Sequence, residues 1–375
     1  MPWWDQCKLA SARVVVVGAG ALGNEAIKNL ALLGVGTILV VDFDRVETSN
    51  LSRCLLLNDQ DVGSAKAAAA ARAAGKLNPE IFVTALDGDI EHDLGEGELR
   101  QYDLVLGCVD SIAARWAINR LCRRAGVPWL NAGIGATMGE VSFFNPLTGP
   151  CYECGMTRSM WHRMNQRRSC LMVGSAVEQP PVPATALLAS LTAGLQVQEA
   201  VHYLHRKVTG APQRLQPGQM IAVNTQPYSL QVMDSTLNPV CLAHETHSST
   251  QPLHCSPQEL TVCELLDAVP NATAWILDFD VVIALVCATC GQESVLLPLR
   301  KLRAEMVRCT RCSGLRVPIL AHEVDAKSLL AATSLAQFGV PHQAILKVKT
   351  AQGIQRVELT VPRPGAQVQP IPETK

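Results

Sequence analysis

Net charge is almost absent from this chain. Its 32 basic residues stand against 33 acidic ones, so no global field draws it towards nucleic acid or a membrane surface. A leader pattern is missing as well: the N-terminus, MPWWDQCKLASARVVVVGAG, has no charged segment followed by an apolar one. Its single apolar run breaks at glycine, far short of a membrane span. These absences make a soluble, cytoplasmic enzyme the expectation, with no nucleic-acid or membrane partner. What is present is bulk: 375 residues, 48% of them hydrophobic, can bury a substantial core and fill about two or three domains. Fourteen cysteines would imply disulfides in a small secreted protein. Here six of them fall in three C-x-x-C pairs of a long chain without a leader, which points to zinc in a reducing compartment.

RVVVVG (13–18) is a short β-branched run ending in glycine. It is followed by the helix-like LGNEAIKNLALLG, whose Leu22, Ile27, Leu30 and Leu33 share a face and which Gly34 and Gly36 end. TILVVD (37–42) reads as a second buried strand, so the three form a βαβ unit with a right-handed crossover. Between strand and helix lies GAGALG. In such a unit Gly18, Gly20 and Gly23 serve a tight turn, a close approach of backbone N–H groups to phosphate, and close packing of helix on strand. Asp42 follows Gly23 by 19 residues, where a carboxylate accepts hydrogen bonds from a ribose. This much also suits an NAD-dependent dehydrogenase.

The next segment shifts the balance. VVDFDRVETSNLSRC places Asp42, Asp44, Asn50 and Arg53 in one loop, and GSAKA puts Lys66 near the start of an alanine-rich helix. Two cations beside a phosphate loop suit a triphosphate better than a dinucleotide's pyrophosphate. Asp110 sits just past a short strand at 103–107, where ligands lie in open parallel sheets, and is a candidate for Mg²⁺. Each has a plainer alternative: Arg53 and Lys66 as solvated surface charges, Asp110 as the N-cap of a helix beginning near Ser111.

The segment CYECGMTRSMWHRMNQRRSC offers a cysteine pair, Cys151 and Cys154, and then a lone thiol, Cys170. NPVCLAHETH supplies Cys241 and His244 to complete a structural Cys₃His zinc site, with His247 as an alternative fourth ligand. Arg158, His162, Arg163, Arg167 and Arg168 precede Cys170, and no acidic residue lies between Glu153 and Glu178. That surround favours a thiolate, and the stretch is polar without an apolar period, which argues against a buried structural cysteine. Cys54, Cys108 and Cys122 lie in or next to core elements and are poorer nucleophiles. Residues 184–207 read as one long apolar helix.

Further on, Cys287, Cys290, Cys309 and Cys312 form C-x₂-C-x₁₈-C-x₂-C, a zinc-ribbon spacing. With mixed charge and no aromatic interleaving around it, this ribbon suits protein docking or stabilisation rather than nucleic acid. Residues 326–338 read as a helix, 345–361 as a β-hairpin turning at 351–353, and the proline-rich end as loose.

Taken together, GAGALG, VDFDRVETSNLSR, DVGSAKA, GCVDSIAARWAINR and CYEC resemble the ThiF-type adenylation domain. Ubiquitin-like activating enzymes share that domain with the adenylyltransferases that prepare sulfur-carrier proteins. KNLALLG, DSIAARWAIN and the spacing from CYEC to a lone cysteine resemble the catalytic subunit of the enzyme that activates the ubiquitin-like protein NEDD8. The resemblance covers residues 7–245. It implies an α/β fold, a Rossmann-like, doubly wound and mostly parallel sheet, here with a C-terminal zinc-ribbon-like module. The division expected is an adenylation domain at 1–250 whose crossover loop carries Cys170, a linker at 251–282, a zinc ribbon at 283–320 and a small module at 321–375.

The resemblance also implies roles. Gly18, Gly20 and Gly23 match the nucleotide loop, Asp42 with Asp44 beside it the ribose contact, Asn50, Arg53 and Lys66 the surroundings of the phosphates, and Asp110 the magnesium aspartate. Three departures stand out: Cys54 where the family usually has glutamine, His244 in place of a last cysteine, and only a dozen residues before the first strand. An arginine supplied across a dimer must then come from elsewhere or be absent.

The implied chemistry is adenylation, with ATP and Mg²⁺, of the C-terminal glycine carboxylate of a ubiquitin-like protein, then a thioester on Cys170 and transfer to a conjugating enzyme. The implied assembly is a homodimer holding two zinc sites. The chain's size resembles short bacterial activating enzymes of antiviral operons. Two alternatives remain: a sulfur-carrier adenylyltransferase that needs no thioester, and a non-catalytic scaffold, against which the retention of Arg53, Lys66 and Asp110 argues.

Overall fold

The computed structural model of the chain describes residues 1–168, 185–212, 214–244, 250–303 and 305–364. Its first part alternates helix and strand: α1 (Gln6–Ser11), β1 (Arg13–Val17), α2 (Ala21–Leu32), β2 (Thr37–Asp42), α3 (Lys66–Leu77), β3 (Phe82–Asp87), α4 (Glu96–Leu99), β4 (Leu104–Gly107), α5 (Ile112–Ala125) and β5 (Trp129–Ile134). β6 (Met138–Phe144), α6 (Arg158–Arg168), α7 (Ala186–Leu204), β7 (Gln219–Thr225) and β8 (Tyr228–Asp234) complete it. The eight strands form one sheet in the order β3-β2-β1-β4-β5-β6-β7-β8. β1 to β5 pair in parallel, and β6, β7 and β8 continue the sheet antiparallel.

Both faces of the parallel half are covered, as four consecutive valines demand. Val14 and Val16 point into a core with α2, α3 and α7, and Val15 and Val17 into another with α5. The strand order reverses between β1 and β4, so the loops leaving their C-terminal ends diverge and open a crevice there. The Rossmann-like, doubly wound fold read from the sequence is the one observed.

A second, six-stranded sheet follows. It is built from β9 (Thr250–Leu253), β10 (Ala272–Cys287), β11 (Gly291–Pro298), β12 (Arg316–Asp325), β13 (Ile345–Thr350) and β14 (Gly353–Leu359), with helix α8 (Val262–Asp267) packed on it. Its order is β11-β10-β13-β14-β9, and β12 also pairs with β10. The 345–361 hairpin is as expected, with Gly353 at φ 129° closing its turn.

Three local expectations differ. Residues 251–282 are not a linker, because β9, α8 and the first half of β10 share one core in which Trp275 meets Phe338 edge-on at 5.1 Å. The sheet thus runs through all three C-terminal segments. Residues 326–338 form turns and a single 3₁₀ turn, Leu335–Phe338, rather than a helix. There the N–H groups of Leu335 and Ala336 donate to the carbonyls of Leu260 (2.9 Å) and Pro257 (2.7 Å), so tertiary bonds replace the helical ladder. Lastly, the polar stretch before Cys170 is an 11-residue helix, α6, seated by Trp161 and Met164, three positions apart, on the core of α5.

The two sheets meet at α4. A Cβ on Gly95 would stand 2.0 Å from the His342 carbonyl oxygen and one on Gly97 2.9 Å from Gln343 Cβ, so main chain lies against main chain. The Gly97 N–H donates to the Gln343 carbonyl (2.9 Å) and that of Ile345 to Glu96 Oε2 (3.0 Å). Arg124 of α5 pairs with Glu96 (2.8 Å) and with Asp278 (3.2 Å), and Lys347 also pairs with Asp278 (2.7 Å). Among the described residues, no helix is long and apolar enough to cross a membrane.

Candidate functional site

The glycine loop opens where β1 ends. Gly18 has φ +93°, and a Cβ there would lie 2.6 Å from the Cys108 carbonyl oxygen; one on Gly23 would lie 1.8 Å from the carbonyl oxygen of Gly18. These two glycines are required by turn and packing. Gly20 is different: φ is −74° and no atom stands within 4 Å of where its Cβ would be. It caps the N-terminus of α2 without a side chain, leaving free backbone N–H groups for an anion.

Asp42, at the end of β2, grips this loop. Its Oδ2 accepts from the Ala19 N–H (2.7 Å) and its Oδ1 from the Asp44 N–H (2.8 Å). Burial lifts its carboxyl above the usual 3.8, against the pull of those two bonds and of Lys66. Lys66 is the first residue of α3 and is buried, with Nζ 2.9 Å from Asp44 Oδ2. Burial works against its ammonium, but the bond to Asp44 and the charges of Asp42 and Asp44 outweigh it and raise its pKa. Lys66 is therefore no solvated surface charge.

Arg53 is half-buried, and its Nη1 donates to the Ser49 carbonyl (2.9 Å). Asn50 is buried in a short turn, where its Oδ1 accepts from the Glu47 N–H (3.1 Å). Asp110 is exposed at the turn after β4, and the helix that follows is capped by Ser111, whose Oγ accepts from the Ala114 N–H (3.1 Å). The N-cap alternative for Asp110 thus falls away.

Sequence reasoning missed Asn24. Fully buried on α2, it donates to the Ala19 carbonyl (2.6 Å) and accepts from the Leu56 N–H (2.8 Å), lacing the glycine loop to the segment after Arg53. Its signal was a polar residue on the apolar side of a helix.

Cys151, Cys154, Cys241 and His244 come together, with all four ligand atoms within 4.8 Å of one another. The Cys151 sulfur lies 3.9 Å from that of Cys154 and 3.8 Å from that of Cys241, and Cys154 Sγ lies 3.3 Å from His244 Nε2. A tetrahedron with Zn–S bonds of about 2.3 Å has edges of roughly 3.8 Å, so the donor set fits zinc. Burial pushes the Cys241 thiol up to about 12 and raises that of Cys151; a bound zinc ion supplies the charge that turns such thiols into thiolates.

Helix α5 braces both halves of this knuckle. Asn119 accepts from the Tyr152 N–H (3.2 Å) and donates to Glu153 (3.2 Å), Arg120 pairs with Glu153 (3.1 Å), and Arg123 donates to the Ala243 carbonyl (2.6 Å). Cys287, Cys290, Cys309 and Cys312 form a second group of the same span, with 3.5 Å between the sulfurs of Cys287 and Cys312. There the backbone N–H groups of Arg311 and Cys312 hold the Cys309 thiol down at about 6.

Cys170 and His247 lie outside the described residues, as does the end of the proline-rich tail. Of the other thiols, Cys54, Cys108 and Cys122 are unsuited to nucleophilic attack: all three are buried, and burial raises their pKa values, that of Cys108 to about 12.

A model of the ThiF family matches residues 4–251. SUMO-activating enzyme subunit 2 of Dictyostelium discoideum is 36% identical over 148 residues, 39% of this chain and 22% of that one. SAMP-activating enzyme E1 of Haloferax volcanii is 40% identical over 149 residues, 40% of this chain and 55% of that one. Adenylyltransferase and sulfurtransferase UBA4 of Candida albicans is 38% identical over 151 residues, 40% and 34% of the two chains. The chain thus spans between 22% and 55% of the length of these relatives. Among solved structures, E. coli MccB with ATP superposes with a TM-score of 0.52 at 24% identity, over 64% of this chain and 68% of that one, which speaks for the fold alone.

Proposed function

The chain belongs to the ThiF family, and from that membership we propose that it uses ATP to adenylate the C-terminal glycine carboxylate of a ubiquitin-like protein, carries the acyl group as a thioester on Cys170 and passes it to a conjugating enzyme. The observation that carries the adenylation step of this reading is the gathering, at the point where strand order reverses, of a sterically open glycine at a helix N-terminus, the Asp42–Asp44–Lys66 cluster and an exposed Asp110.

The carrier's carboxylate, already ionised at neutral pH, needs no base. Its oxygen attacks the α-phosphorus of ATP, and the bond to the bridging oxygen of pyrophosphate breaks. The N–H groups at the start of α2 cradle phosphate, Asp42 accepts from the ribose hydroxyls, and Lys66 and Arg53 offset the charge growing on pyrophosphate. Asp110 is the residue to hold Mg²⁺, which when bound neutralises phosphate charge. The Cys170 thiolate, favoured by the basic residues that precede it in sequence, then attacks the acyl carbon; the acyl–phosphate bond breaks and AMP leaves. Both zinc centres are structural in this reading, and the working unit is a homodimer.

A second reading has its own support. One relative is named an adenylyltransferase and sulfurtransferase, and a chain of that kind activates a sulfur carrier without needing Cys170. The two part in one experiment, incubation with ATP·Mg²⁺ and carriers ending in glycine followed by mass spectrometry. A thiol-sensitive adduct on Cys170 that disappears in Cys170→Ala, while pyrophosphate exchange persists, supports the thioester. An unchanged adduct in Cys170→Ala sinks it, and loss of exchange in Asp110→Ala is expected in either case.

A further inference from the structure

Gln196 is wholly buried on α7, the first described helix after the residues that include Cys170. An amide inside an apolar helix must find polar partners, and this one finds three. Its Nε2 donates to the carbonyls of Leu130 (2.9 Å) and Gly107 (3.2 Å), and its Oε1 accepts from the Cys108 thiol (3.3 Å). Leu130 and Gly107 lie on the neighbouring strands β5 and β4. From Gly107 the chain runs through Cys108 and Val109 directly to Asp110.

The same turn presses on the glycine loop. The Cys108 N–H donates to the Val17 carbonyl (2.8 Å), and the Cys108 carbonyl and Val109 Cγ1 would stand 2.6 and 3.3 Å from a Cβ on Gly18. One helical turn before Gln196, the buried Thr192 hydroxyl would lie 2.1 Å from a Cβ on Gly139, so α7 is seated hard on the sheet. A single side chain therefore joins α7 to the turn that presents Asp110.

We propose that Gln196 is a positioning residue for the adenylation site: its amide fixes the 107–110 turn against the glycine loop, so that Asp110 and the loop's N–H groups keep one relative placement. This rests on the reading of that site as one for Mg²⁺ and ATP. Gln196 touches neither; it acts through Gly107 and Cys108. Such a brace matters because small misplacements of a site that must hold metal and triphosphate together cost rate steeply.

The test uses the full chain and Gln196→Met, which keeps the volume and removes the amide. Hydrogen exchange should quicken about tenfold in peptides covering 18–23 and 107–111 and stay unchanged in β2 and α3. Calorimetric affinity for ATP with Mg²⁺ should fall about tenfold, while affinity for ATP in EDTA moves less than about twofold. Unchanged exchange in both windows, or loss of affinity that is the same with and without Mg²⁺, overturns the proposal. Should Gln196→Met not fold, Cys108→Val against Cys108→Ser, which keeps a donor, tests the Cys108 link of the brace: faster exchange at 18–23 and 107–111 in the valine variant alone supports the proposal, and equal exchange in the two variants overturns it. A wild-type chain that binds no ATP with Mg²⁺ would refute the nucleotide reading, and the hydrogen-exchange contrast would still decide the role of Gln196.

Discussion

Two glycines of one loop make opposite demands. An alanine methyl at Gly23 would be driven to 1.8 Å from a backbone oxygen, so Gly23→Ala should lower stability by about 1–3 kcal/mol or more in urea titration and abolish pyrophosphate exchange. Gly20→Ala meets nothing; it should unfold at the wild-type midpoint yet lose exchange by about tenfold or more, because the methyl stands where phosphate approaches in the proposed site.

The paired charges give pH signatures. Lys66 has a folded pKa above 10.5, so its contribution to stability is complete below 10.5 and is lost as pH rises through the folded value. The stability gap between wild type and Lys66→Met should therefore close only in alkali. Asp42 titrates above 3.8 in the fold, so acidification through its folded value relieves the cost of burying its charge while removing the acceptor proposed for ribose. The acid limb of exchange should lie above 3.8, and Asp42→Asn should lack that limb at a lower overall rate.

At the scale of elements, α5 carries the most. Its first turn follows Asp110, its middle holds the knuckle of Cys151, Cys154, Cys241 and His244 through Asn119, Arg120 and Arg123, and its end reaches the second sheet through Arg124. Metal analysis of the purified chain should find two zinc ions, falling to one in either Cys241→Ser or Cys309→Ser. Arg120→Ala should weaken retention of the first zinc against a chelator by about 10- to 100-fold and leave the second unaffected.

Little of this brace was legible in the sequence. The βαβ unit was, because β-branched runs and glycines are local signals, and so were the C-x-x-C pairs, because their spacing is local too; the joining of Cys151 and Cys154 to Cys241 and His244 spans 90 residues, and spacing left His247 open beside His244. Asn119, Glu153 and Gln196 went unread because their partners lie dozens of residues away, as does Leu56, one of the two partners of Asn24, and a buried amide announces only that it must have some. The same blindness turned residues 326–338 into a helix on paper: local pattern cannot know that Leu260 and Pro257 will take its N–H groups.

At the scale of the molecule, two sheets are held by a charged seam. Removing the Arg124 guanidinium leaves the buried Glu96 carboxylate without that partner, so Arg124→Met should destabilise the chain by about 3–5 kcal/mol in denaturant titration. Light scattering of the wild type should give twice the 40.3 kDa chain mass if the homodimer is right. The seam has a further consequence, for transplantation. Where α4 meets the second sheet, Gly95 and Gly97 let two backbones touch, so no repacking of side chains can recreate the joint on a host that has larger residues there. A chimera that fuses residues 250–364 to another ThiF-family domain should dock only if the host's counterpart of residues 95–101 is exchanged too. The glycine pair is, in effect, the socket by which that appendage can be moved.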